Sequence, residues 1–269
     1  MNSLKFTILG CGSSGGVPRI GNDWGACDPA NPKNRRRRCS LLVERRSETG
    51  VTTVLIDTGP DLREQINDAG AGSLDAVFYT HAHADHIHGI DDLRGLALKE
   101  RKRVDVYLDH STSARAHKAF DYCFVTPEGS GYPPILNEHR LHPGTPVAVR
   151  GPGGVVTVLP FQQHHGDIDS LGFRIGNVAY SSDLHDLPAA SLDHLKGLDV
   201  WMVDALRYTP HRSHFTVAEA LGWIERLKVK RGILTNLHLD LDFDTLAAEL
   251  PEGVEPAYDM MTFEVALSG

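Results

Sequence analysis

Residues 80–86 read Thr-His-Ala-His-Ala-Asp-His, which places three imidazoles and a carboxylate between His81 and His86. Neutral imidazole and carboxylate are ligands suited to zinc, manganese or iron. Four such groups packed together without an ion would be costly to desolvate. In an extended loop His81 and His83 point the same way, because side chains two apart share a face. If the chain then turns into a helix, Asp85 and His86 reach the other side of the same space. One short loop can in this way serve two neighbouring ions. His88, further into that helix, reads as structural or as a support behind a ligand, and Asp91, Asp92 and Arg94 read as a charged helix start.

The loop follows an apolar run, Leu74 to Tyr79, with the character of a buried strand. Period-two alternation and short β-branched runs predict strands at 4–9, 39–45, 51–57, 74–79, 104–108, 155–161, 171–181, 198–203, 230–235 and 262–266. Helices are expected at 60–69, 89–100, 111–119, 191–196, 216–229 and 242–250. The clearest is 216–229, where Val217, Ala220, Leu221, Ile224 and Leu227 recur at three and four. Strand–helix alternation throughout predicts an α/β layered fold. Residues 120–145, rich in Pro, Tyr and His, read as an irregular excursion whose Tyr122, Phe124 and Tyr132 pack the loop or cover a substrate.

The loop resembles the HxHxDH signature of metallo-β-lactamase-fold hydrolases. Phe6 to Pro18, with its Gly10-Cys11-Gly12-Ser13-Ser14-Gly15-Gly16 centre, is similar to the strand and glycine-rich turn that open the phosphodiesterase branch, which holds PhnP-type phosphodiesterases and tRNase Z. Val54-Leu55-Ile56-Asp57-Thr58-Gly59 resembles the family's strand-ending Asp-x-Gly. Ala179 to Asp183 resembles the strand whose terminal aspartate bridges two metals, and His214 to Ala220 resembles the helix start that supplies a catalytic histidine.

The resemblance implies an αββα sandwich, two mixed sheets flanked by helices, formed by residues 1–269 as a single domain. It implies two divalent transition-metal ions, zinc or manganese, as cofactors. The ligand set it implies is His81, His83 and His165 on one ion and Asp85, His86 and His238 on the other, with Asp183 between them. His165 is favoured over His164 because the family has a histidine before the glycine that precedes Leu171-Gly172-Phe173. For the last ligand the family carries histidine directly after Leu-Thr, where this chain has Asn236. His238, two residues on, shares the Asn236 face if the chain stays extended. Closely spaced cysteines that would hold an accessory zinc reduce here to Cys27, so that site is expected to be absent. A protruding tRNA-gripping arm is likewise not evident.

The function implied is hydrolysis of a small, cyclic or nucleotide-like phosphodiester by a hydroxide between the metals. Asp85 and His214 are cast as catalytic, with His214 protonating the leaving oxygen or holding a phosphate oxygen; Asp57 would orient a ligand histidine. Ser14, Arg36, Arg37 and His214 are the expected substrate contacts. The arginines come from Lys33-Asn34-Arg35-Arg36-Arg37-Arg38, whose guanidinium forks match phosphate oxygens if the run is not merely a solvated face. Acyl hydrolysis of a β-lactam or thioester, and a PqqB-like carrier role, are the competing readings.

Composition limits the partners. With 27 Lys and Arg against 35 Asp and Glu the formal net charge is −8, which does not favour a long nucleic acid. The four cysteines, Cys11, Cys27, Cys39 and Cys123, lie far apart, so neither a disulfide framework nor a zinc ribbon is indicated. The start of the chain has no charged segment leading into an apolar stretch, and no apolar run is long enough to span a bilayer. A soluble cytoplasmic protein, without a membrane partner and possible as a homodimer, is expected.

Overall fold

Strands buried on both faces read as unbroken apolar runs, and their alternation decides which side chain meets which layer. Val54 and Ile56 enter one core while Leu55 between them enters another; Ala76 and Phe78 oppose Val77 in the same way, and Val200 and Met202 oppose Trp201 and Val203. The computed structural model describes residues 3–267. Its first part runs β1 (Ser3–Gly10), β2 (Ser40–Ser47), β3 (Gly50–Ile56), α1 (Leu62–Ala69), β4 (Ala76–Phe78), α2 (Ala84–Ile87), α3 (Leu93–Glu100), β5 (Val104–Leu108), α4 (His110–Phe124) and β6 (Leu136–Arg140). The second runs β7 (Val147–Gly151), β8 (Gly154–His165), β9 (Ile168–Ile175), β10 (Val178–Ser181), α5 (Ala189–Leu192), β11 (Val200–Asp204), α6 (Val217–Leu227), β12 (Arg231–Thr235), α7 (Phe243–Glu249), β13 (Val254–Pro256) and β14 (Met261–Ala266).

These strands form two seven-stranded sheets, ordered β14-β1-β2-β3-β4-β5-β6 and β13-β12-β11-β10-β9-β8-β7. Both are mixed. In the first, β14, β1, β2 and β3 pair antiparallel and β3, β4, β5 and β6 parallel. In the second, β7 to β10 pair antiparallel and β10 to β13 parallel. One apolar cluster lies between the sheets, a second joins the first sheet to α1, α3 and α4, and a third joins the second sheet to α6 and α7. The layers are α, β, β and α. No helix among the described residues is long and apolar enough to cross a membrane. Cys11, Cys27, Cys39 and Cys123 are buried, free thiols.

Several elements differ from the sequence expectation. The stretch read as one strand over 171–181 is a hairpin, β9 and β10, because Gly176 takes a left-handed turn at φ 61°. The excursion at 120–145 contains the end of α4, past a kink at Phe120, and strand β6. The strands β7 and β13 carry too few consecutive apolar residues to announce themselves. The helix expected at 191–196 is the short α5 at Ala189–Leu192 followed by a single tight turn.

Candidate metal centre

The C-terminal ends of parallel strands open towards one edge, where the chain leaves the hydrogen-bonded ladder and side chains can converge on a ligand. After β4, Tyr79 still bonds to Tyr107, and residues 80–83 then run extended until His83 starts α2 with φ −69° and ψ 152°. The extended half puts the His81 and His83 rings 4.5 Å apart, and the helical turn brings the His86 ring to 4.3 Å from His81. The end of β8 supplies His165, whose Nε2 lies 3.2 Å from His83 Nδ1. Asp183 follows β10. Its Oδ1 is 3.0 Å from His86 Nε2, and its Oδ2 is 3.8 Å from His165 Nε2.

Two groups here have metal-ligand geometry: His81, His83 and His165, and His81, His86 and Asp183. A third, His165, Asp183 and His214, overlaps both. Asp85 joins the edge of the second, with its carboxylate 3.4 Å from His86 Nε2. His81 Nε2, His86 Nε2 and Asp183 Oδ1 are buried without a hydrogen-bond partner. The His86–Asp183 approach is thus close without the alignment of a hydrogen bond. Buried nitrogen and oxygen atoms left unpartnered carry a desolvation cost that a divalent cation removes. The donor set therefore fits transition-metal ions.

Electrostatics at three of these histidines agree with ligation. Burial holds the His81, His83 and His165 imidazoles below their ordinary pKa, so they stay neutral with a lone pair free. Burial also opposes charge on His86 and Asp183, yet their mutual attraction outweighs it, raising the imidazole and holding the carboxylate far down. Behind them, Asp57 at the end of β3 accepts from Thr80 N at 2.8 Å and meets His86 Nδ1 at 2.7 Å. This carboxylate fixes which His86 nitrogen turns to the centre.

His214 stands beside this cluster. Residues 213–216 bridge to the second sheet, with Phe215 N bonded to Leu184 O and Leu206 N to Phe215 O. Thr216 and Glu219 then close a capping box that starts α6. His214 Nδ1 lies 2.7 Å from Asp204 Oδ2 and 3.8 Å from Asp183 Oδ2. Burial lifts the Asp204 carboxyl to about 7, and at His214 the attraction of Asp204 outweighs burial and lifts the imidazole to about 9. Asp204 has no place among the residues expected from the sequence, although it ends an apolar strand just as Asp183 does, and that shared pattern could have found it. Asn236 donates to Asp204 Oδ1 at 3.2 Å, which ties the end of β12 to the same pair.

His238 does not join a ligand group. Asn236 adopts a left-handed conformation at φ 60°, so the extended alternation that would have carried His238 to the metals breaks there. Leu237 instead stitches to the glycine-rich turn, with its N–H donated to Cys11 O and its carbonyl accepting from Ser13 N. The His238 ring turns to Arg19, 2.5 Å away at Nε2, and to Asp240 at 2.9 Å from Nδ1.

The arginine run is placed differently from the expected phosphate clamp. Arg36 is 2% exposed, and its guanidinium donates to Leu241 O at 2.7 Å and His238 O at 3.1 Å. Arg37 pairs with Asp68 and Asp259, and Arg38 with Asp61. The cause is local pairing: Val17 and Arg36 exchange both backbone hydrogen bonds, which turns the Arg36 side chain inward beneath the loop. Gly12 permits this approach, since a Cβ there would stand 2.8 Å from Arg36 Cβ. Arg36→Ala is therefore expected to lower stability by about 3 kcal/mol, because two buried carbonyls lose a charged donor. Urea unfolding measures this, and an unchanged midpoint would return Arg36 to the surface role.

Above the metal-facing atoms lies a cavity of about 300 Å³. His83, Asp85, His165, Asp183 and His214 line it on one side, and Ser13, Ser14, Arg19, Arg207 and His211 are also in its wall. Ser14 is thus beside the cavity, as its place in the turn suggests. Arg19, Arg207 and His211 have no motif of their own in the sequence; only the fold brings them here.

Comparison with known proteins agrees with this architecture. Residues 52–236 match the family described as Beta-lactamase superfamily domain. The solved structure of a diphosphatase from the PhnP family is 34% identical, with 98% of each chain covered and a TM-score of 0.87. An octanoyltransferase of Porphyromonas gingivalis is 32% identical over 261 residues, 95% of this chain and 50% of that protein. A ribonuclease Z of Bradyrhizobium sp. is 33% identical over 145 residues, 53% of this chain and 45% of that protein. The chain spans about half the length of the curated relatives it matches. With the fold, the histidine–aspartate cluster and these matches together, the chain belongs to the β-lactamase superfamily of metal-dependent hydrolases, in the metallo-β-lactamase-fold phosphodiesterase branch of PhnP-like and tRNase Z-like proteins.

Proposed function

We propose that this protein is a two-metal hydrolase of a small phosphodiester, with a nucleotide-like compound as the substrate class. The observation that carries this reading is the set of unpartnered buried atoms, His81 Nε2, His86 Nε2 and Asp183 Oδ1, beneath a cavity walled by guanidinium groups. His81, His83 and His165 would hold one ion and His86 with Asp85 the other, Asp183 reaching both. When bound, the ions would lower the pKa of their water to about 7 and neutralise phosphate oxygens. Asp204 holds His214 by Nδ1, leaving Nε2 to deliver a proton to the leaving oxygen. The cavity's size, about 300 Å³, suits a mononucleotide-sized substrate better than a folded polymer.

The octanoyltransferase relative favours an acyl substrate as a second reading. Its name describes a protein of which this chain spans half, and Leu206 is the single apolar side chain in the cavity lining, a poor bed for an acyl chain. Assay of the metal-loaded protein on bis(4-nitrophenyl) phosphate, an octanoyl thioester and a β-lactam separates the readings. Turnover of the phosphodiester alone is expected. Faster hydrolysis of the thioester or the β-lactam would replace this reading with the acyl one.

A further inference from the structure

The cavity carries positive charge that the metal-facing residues do not require. We propose that Arg19 and Arg207 form an anion-binding wall for a second phosphate group on the substrate, with His238 holding Arg19 in place. The proposal rests on the reading of this cavity as the substrate site.

Arg19 follows the glycine-rich turn and sits in a tight loop, its N–H donated to Asp23 O at 2.8 Å and its carbonyl accepting from Asn22 N at 3.0 Å. A guanidinium has no acceptor, so across the 2.5 Å contact Arg19 donates and His238 Nε2 accepts. On the other side of the ring, Nδ1 lies 2.9 Å from Asp240 Oδ2 and 3.2 Å from the Asp240 backbone N. Arg19 and His238 both line the cavity, so this contact ties the guanidinium to its wall. Arg207 is anchored by the backbone bridge to Thr216, and its Nε and Nη2 donate to the carbonyls of Thr209 and Pro210 at 3.1 and 3.0 Å. Its third nitrogen, Nη1, has no such bond.

Neither guanidinium pairs with a carboxylate among the described residues, although acidic residues outnumber basic ones by 35 to 27. Arg37 and Arg38, which lie outside this cavity, are both paired with carboxylates. A third group points to a ligand: Ser13 Oγ, in the wall of the same cavity, is buried without a partner at 3% exposure. A phosphodiester has one charge, which the metal ions absorb. A phosphate monoester elsewhere on the substrate carries up to two, and arginine forks meet its oxygens in pairs.

The test is calorimetric titration of the full metal-loaded chain with thymidine 3′,5′-bisphosphate and with thymidine 5′-monophosphate. Wild type should bind the bisphosphate at least about tenfold more tightly, the worth of one charged hydrogen bond. Arg19→Ala and Arg207→Ala should each remove most of that preference, and Arg19→Lys, which keeps charge and fold but not the fork, should remove part of it. His238→Gln should weaken the preference while metal content by elemental analysis stays at the wild-type value. Equal binding of the two nucleotides by wild type, or a preference that survives in both alanine variants, would overturn the proposal. Loss of metal in His238→Gln would remove its positioning role and make it a ligand. Failure of wild type to hydrolyse any phosphodiester would defeat the hydrolase reading, while the binding ratio would still decide the anion wall by itself.

Discussion

Asp183→Asn is expected to lose metal and to reduce turnover roughly 10³-fold, the equivalent of several kcal/mol of charge stabilisation. Asp183 belongs to two of the three ligand groups and stands 3.0 Å from His86, 3.8 Å from His165 and 3.8 Å from His214. An asparagine keeps the shape but offers one neutral oxygen where a carboxylate offers two charged ones. Elemental analysis of wild type should give two equivalents of transition metal, and the variant should fall to one or fewer. His83→Ala should lower occupancy as well, since its Nδ1 faces His165 Nε2 at 3.2 Å and leaves that nitrogen alone when removed. Full metal content and activity in both variants would dismantle the ligand assignment.

His214→Ala should lower kcat by about 10²–10⁴, the usual worth of general acid catalysis, and should keep both metals. The imidazole sits on a rigid mount ahead of the capping box of α6, and Asp204 occupies its Nδ1 at 2.7 Å. The loss should shrink for a 4-nitrophenyl ester, whose leaving group needs little protonation. An equal loss on good and poor leaving groups would assign His214 to stabilising a phosphate oxygen. Metal loss in the variant would instead make it a ligand, through the group it forms with His165 and Asp183.

Local spacing was enough to announce the clustering of His81, His83 and His86. Extended residues alternate and a following helical turn reverses direction, so the order His-x-His-x-Asp-His contains its own geometry. Strand-ending carboxylates, Asp57 and Asp183, were legible for a similar reason: an apolar run stops at a charged residue where the strand leaves the core. The α/β layering also followed from strand–helix alternation, and the continuous apolar runs from burial on both faces.

What tertiary structure decided lies where chain segments far apart in sequence meet. Arg36 reads as a surface cation until its pairing with Val17 turns it under the loop towards the carbonyls of His238 and Leu241. His238 reads as a ligand until one left-handed residue, Asn236, breaks the alternation that would have aimed it at the metals. Arg19 and Arg207, 188 positions apart and marked by no motif, share a wall because one follows β1 and the other β11. Spacing along a chain reports direction over a few residues; which cation is paired, buried or left facing a cavity depends on contacts that only the packed sheets create.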